Sequence, residues 1–143
     1  MKVIAEPPPG GSVDSWGREG NSWPFLPPFL AGINGGQQHM TTVVVSSGAC
    51  GFTVTIKASK GRDKKIEIVL DTDCEMVKKM QGDIAVVDRR AAVCGFGGGP
   101  VHHSAAKHLK HAACPVPSGI LKAIEIEAGM NVPRDATIIF KKE

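Results

Sequence analysis

Sulfur and imidazole are the reactive groups of this 143-residue chain. Its four cysteines are Cys50, Cys74, Cys94 and Cys114, and His108 and His111 stand just ahead of the last of them. Thiolate and imidazole together suit zinc or an iron–sulfur cluster. No two cysteines form the C-x-x-C pair that marks most zinc sites, so only the fold can gather them. Cys50, Cys74 and Cys114 each fall where a regular element should begin or turn, a place from which a side chain can be aimed at a shared point. Cys94 lies in a glycine-rich stretch and is a weaker fourth candidate. The plain alternative is that one or two of these cysteines are buried and inert, because free cysteine packs as a small hydrophobe. His111, three residues before Cys114, is the imidazole best placed to join the sulfurs. His102 and His103 follow Pro100 and read as an ordinary helix start.

Cys114 carries a second possibility of its own. Pro115 follows it, and a residue before proline is pushed out of helical geometry, while proline suits the first position of a helix. Cys114 is therefore expected as the N-cap of a helix, facing free backbone N–H groups and the positive end of the helix dipole. That position favours thiolate, the form that attacks electrophiles and binds metals. Cys114 is the one candidate catalytic residue in the chain.

The elements that would hold these groups begin at Met40. Residues 42–47 are short and β-branched, and residues 52–57 alternate with Phe52, Val54 and Ile56 on one face; a glycine-containing turn that carries Cys50 joins the two. Residues 66–70 read as a third strand. Asp71–Asp73 then give a helix-start signal, with a helix from Cys74 to Met80. Residues 82–90 read as either strand or helix. Gly95–Gly99 is a connection: it lacks the Lys-Ser/Thr of a phosphate-binding loop. A helix is expected from about 101 to 112, placing His108 and His111 on one face, and another from Cys114 to Gly129, with Ile120, Leu121, Ile124 and Ala128 as its apolar face. Residues 136–140 are expected to return as a last strand. The predicted fold is α+β: a small antiparallel sheet of three N-terminal strands and one C-terminal strand, covered by two or three helices.

Composition bounds the rest. Apolar content of 42% supports a core, and a net charge of +3 with the lysines spread along the chain does not indicate a nucleic-acid surface. No apolar run reaches the roughly 20 residues that span a bilayer, and no secretory signal is evident, so the expectation is a cytoplasmic protein with reduced thiols. A homo-oligomer is compatible with all of this. Residues 1–39 differ in kind: they hold both tryptophans and a proline-broken apolar run, Trp23–Leu30, with neither a helical nor a strand period. The break at Met40 has two readings: an arm that lays its aromatics on the domain or on a partner, or, the reading favoured here, a natural start at Met40 with the preceding irregular extension coming from an upstream start assignment or a cloning junction at His39-Met40. Residues 40–143 are then the single folded domain.

Two resemblances bear on function. Over about residues 41–143, the runs Ser47–Phe52, Asp73–Met76 and His111–Glu125 resemble a family of small uncharacterised prokaryotic proteins that share the cysteines matching Cys50, Cys74 and Cys114. That likeness implies those three sulfurs and no particular activity. The glycine-rich stretch around Cys94 departs from the pattern. More narrowly, Cys114-Pro-Val-Pro117 is similar to the Cys-Pro-x-Pro signature of TusA/SirA-type sulfur carriers. There the cysteine carries a persulfide at a helix N-terminus, although in that family the motif follows a strand.

Three functional expectations follow. The first is a thiolate site of Cys50, Cys74, Cys114 and His111 that holds zinc or an iron–sulfur cluster. The second is a sulfur-relay or redox thiol centred on Cys114. The third is a structural or interaction domain without chemistry.

Overall fold

The structure is a computed structural model and describes residues 39–143; the expected irregular extension lies, apart from His39, outside them. Four strands form one antiparallel sheet in the order β1-β2-β3-β4: β1 Met40–Ser46, β2 Thr53–Lys60, β3 Lys65–Thr72 and β4 Val86–Asp88. Four helices accompany it: α1 Glu75–Ile84, the single turn α2 Arg89–Ala92, α3 Pro100–His108 and α4 Val116–Glu127. The α+β class expected from the sequence is what the chain adopts.

Period-two alternation sets the sheet. Val54, Ile56 and Ala58 of β2 and Ile66, Ile68 and Leu70 of β3 turn to one face and are buried, while Lys57, Glu67 and Val69 face solvent. The buried face receives Val77, Met80 and Ile84 of α1 and Val116, Ile120, Ala123 and Ile124 of α4. At Gly119, α4 lies so close to the sheet that an added Cβ would clash with Val45 Cγ2 and come within 3.1 Å of Ile56 Cδ1.

The fourth strand is not the expected one. Residues 136–140 make no strand and are exposed, with Ile138 at 81% and Phe140 at 93%. The fourth position goes to Val86–Asp88, which pairs with Lys65–Glu67. β-branched composition suits a half-buried pleated surface, and such a segment becomes a strand only where a partner edge accepts it. α4 is closed at this end by Gly129 at φ 74°, with Gly129 N–H donating to Ile126 O at 3.0 Å and Met130 N–H to Glu125 O at 2.8 Å, so the chain leaves the helix in a new direction.

α3 is also shorter than expected. It ends at His108, and Leu109 turns to extended geometry at φ −86°, ψ 129°. Its end is braced from α1. The Asp83 carboxylate accepts from Ser104 Oγ at 3.1 Å, Lys107 Nζ at 3.3 Å and His108 Nε2 at 2.8 Å, fixing the last turn of α3. Leu109 then leaves the helix to pack on the core.

Candidate functional site

Three connections meet at one end of the sheet. The turn between β1 and β2 is a 3-10 turn, Gly48–Cys50, bounded by left-handed glycines at φ 68° and 74°. Only glycine adopts these angles cheaply, so the pair fixes where Cys50 stands. Ser47 N–H donates to Phe52 O at 3.0 Å and closes the turn. The second connection runs from β3 into α1, where Cys74 is the N-cap in extended geometry. Its N–H donates to Thr72 Oγ1 at 3.2 Å, and its carbonyl accepts from Lys78 N–H at 2.9 Å. The third is the loop 109–115 between α3 and α4. There Cys114 N–H donates to His111 O at 3.2 Å, a tight turn that presents both residues from one short segment.

These connections enclose a cavity of about 60 Å³ lined by Ser47, Cys50, Cys74, His111 and Cys114 among apolar neighbours, chiefly Phe52, Met76 and Leu109. The three sulfurs and the imidazole singled out from the sequence therefore stand on one wall system. Cys74 is 7% exposed and belongs to the core, Cys114 is half-buried, and Cys50 is exposed. All four thiols are free. Among the described residues, no three His, Cys, Asp or Glu side chains are arranged at ligating positions around an ion. The donors surround the cavity without converging on a point.

Two placements differ from expectation. Cys114 is not the N-cap of α4: Pro115 holds that position at φ −78°, ψ −9°, and the helix begins at Val116. His108 and His111 do not share a helical face, because α3 ends between them; His108 is turned to Asp83 and His111 to the cavity. Cys94 is not among the lining residues. It is exposed beyond α2, its thiol donating to Ala91 O at 2.9 Å.

Two polar devices went unread in the sequence. The first is Asp83, whose carboxyl is held below the usual carboxylate value of 3.8 by its hydrogen bond from His108 and then by Lys107. The second is Glu127, in the last turn of α4 and 1% exposed. Its Oε1 accepts from Thr41 Oγ1 at 2.5 Å and faces His39 Nδ1 at 3.0 Å, while Oε2 has no partner among the described residues. Residues two apart on a helix do not face each other, so spacing separates Glu125 from Glu127 without saying which is buried. Nothing local distinguishes the buried one until β1 is packed against α4.

A larger groove adjoins the sulfur cavity. It measures about 420 Å³ and runs along the end of α3 and the start of α4, sharing Leu109, His111 and Cys114 with the smaller space.

Comparison with known protein families gives a match. A profile described as a family of unknown function covers residues 41–140, from the second residue of β1 to the exposed C-terminal segment. No curated protein and no solved structure matches the chain.

Proposed function

The chain belongs to the family of unknown function DUF6951, and we propose that its working part is the sulfur cavity, a thiolate site for a single transition-metal ion. The observation that carries this reading is the meeting of Cys50, Cys74, Cys114 and His111 around one cavity, from three connections far apart in sequence. Cys₃His is a familiar donor set for structural zinc. A single ion needs only the four side-chain donors, whereas an iron–sulfur cluster, the other group this donor set suits, must also fit its inorganic sulfides between them. Cys74 is anchored by its helix and is the fixed ligand. Cys50 and Cys114 sit on loops and would have to close on the ion by side-chain rotation and small backbone shifts. The bound ion would tie the β1–β2 turn to the loop before α4 and join both ends of the core at one pole.

A second reading rests on Cys114, which borders both the cavity and the larger groove. A thiol in that position can serve as a relay or redox sulfur with Cys50 or Cys74 as its resolving partner. Metal analysis and an absorbance spectrum of full-length protein purified without oxygen separate the two. The metal reading expects close to one equivalent of ion, and thiols that titrate fully only after chelation. Metal-free protein that fails to take up added zinc, with Cys114 freely reactive, overturns it in favour of the relay.

A further inference from the structure

We infer that the 420 Å³ groove beside Cys114 is a binding site for a small organic anion, a molecule carrying a carboxylate or phosphate, held with its anionic end against Lys110 and His102 and its other end toward the Cys114 sulfur. Its volume falls within the range of metabolite-sized pockets, ≈ 300–1,000 Å³. The polar side chains among its described lining residues are Lys110, His102, His111 and Ser118, together with the Cys114 thiol; no carboxylate is among them. A groove whose only ionisable nitrogen groups are one lysine and two imidazoles selects for negative charge. His102 adds a specific demand. Its Nδ1 is buried and has no hydrogen-bond partner among the described residues, and an unpaired buried polar group is costly. A rotation of the ring that brings Nδ1 to the groove wall would let a ligand oxygen supply that partner. Phe96 is fully exposed and leans over the His102 ring at a centroid distance of 4.9 Å and an angle of 50°. With Leu109 it gives the ligand's carbon skeleton an apolar wall. The inference depends on the proposed sulfur site only in that Cys114 and His111 border both spaces.

Affinity labelling of metal-free full-length protein tests it. Iodoacetate and iodoacetamide alkylate a thiolate by the same displacement: sulfur forms the S–C bond, the C–I bond breaks, and iodide leaves with the electron pair. Their rate ratio at one cysteine therefore cancels that sulfur's own protonation and reports attraction for the carboxylate. Cys50, outside the groove, is the internal reference. The expected iodoacetate/iodoacetamide ratio at Cys114 exceeds that at Cys50 by about tenfold, the lower end of electrostatic enrichment in a charged cleft. Lys110→Gln and His102→Leu should each reduce the difference. Inorganic phosphate and acetate, added in separate arms, should slow iodoacetate at Cys114 and leave iodoacetamide unaffected; the stronger competitor identifies which anion the groove prefers. Equal ratios at Cys114 and Cys50, a ratio insensitive to Lys110→Gln, or a Cys114 inert to both reagents would each overturn the proposal. The metal count is measured separately, so failure here leaves the thiolate site standing, and failure there leaves the groove standing.

Discussion

Asp83 and Glu127 are two carboxylates with opposite surroundings, and each makes a distinct prediction. Asp83 is met by His108, Lys107 and Ser104, which hold its carboxyl below 3.8. A group depressed in the folded state stabilises it fully above its ordinary value, and that stability is lost as pH falls through the depressed value. Thermal melts should therefore separate wild type from Asp83→Asn at pH 5 and converge well below pH 3.8; an equal gap at both pH values would show that the carboxylate's charge is irrelevant. Glu127 is instead shut into the core with Thr41 Oγ1 as its buried donor. Thr41→Val keeps the shape, removes the hydroxyl and leaves a buried carboxylate short of a partner, which should cost about 1–3 kcal/mol in denaturant unfolding. No change would mean that water already serves Glu127. Among the sulfurs, Cys74 lies within the buried core and Cys114 packs against it, while Cys50 is exposed. Cys74→Ser should consequently lose stability even without metal, whereas Cys50→Ser should not.

The elements show how the sheet ends are managed. β4 is only three residues long, and beyond it the edge of β3 is completed by a side chain: Gln81 of α1 accepts from Leu70 N–H at 2.6 Å and donates to Ile68 O at 2.7 Å. Gln81 thus acts as a missing strand residue, and Gln81→Ala should cost about 1–3 kcal/mol by stripping two backbone groups of their partners. At the α4–sheet contact, Gly119→Ala should destabilise the protein, since overpacking costs about 1–3 kcal/mol where an open helix would gain about 1 kcal/mol from the same change. A stabilised Gly119→Ala protein would mean that α4 can move away from Val45 freely. These contacts also explain what the sequence could and could not convey. The first three strands, the helix after Cys74 and the helix after Pro115 each carry a local signal, whether alternation, a cap or a proline. The role of Val86–Asp88 against residues 136–140 does not, because both are apolar and β-branched and only the geometry of β3's edge chooses between them. α3 ends at His108, whose contact with Asp83, 25 residues away in sequence, is invisible to helical periodicity. The site itself was legible as a set of residue types at element ends, and the turns bearing Cys50 and Cys74 fell where expected. Cys94 already stood apart through its glycine-rich surroundings, and α2 leaves it exposed, away from the cavity.

At the scale of the molecule, Glu127 holds one end of the domain and the sulfurs the other. Glu127 meets Thr41 where β1 begins, while Cys50, Cys74 and Cys114 gather where β1 ends and α1 and α4 start. A protein that starts at Met40 should still unfold cooperatively. The described side-chain contact it loses is His39 to the buried Glu127 carboxylate, which should lower its stability by about 1–3 kcal/mol unless water or the new N-terminus replaces the imidazole; aggregation of the shortened protein would assign residues 1–39 a part in the core. The family profile spans both poles, so the account treats the domain as a frame that brings distant connections to one cavity. The most direct test of that claim is an oxygen-free cobalt titration, followed by absorbance, of the wild-type protein and of Cys50→Ser, Cys74→Ser, Cys94→Ser, Cys114→Ser and His111→Ala. The account predicts a tetrahedral thiolate spectrum saturating near one equivalent in wild type and in Cys94→Ser. It predicts loss or marked weakening of that spectrum in each of the other four. A wild-type protein with no thiolate-to-cobalt absorption, or Cys50, Cys74 and Cys114 variants that all titrate like wild type, would contradict it.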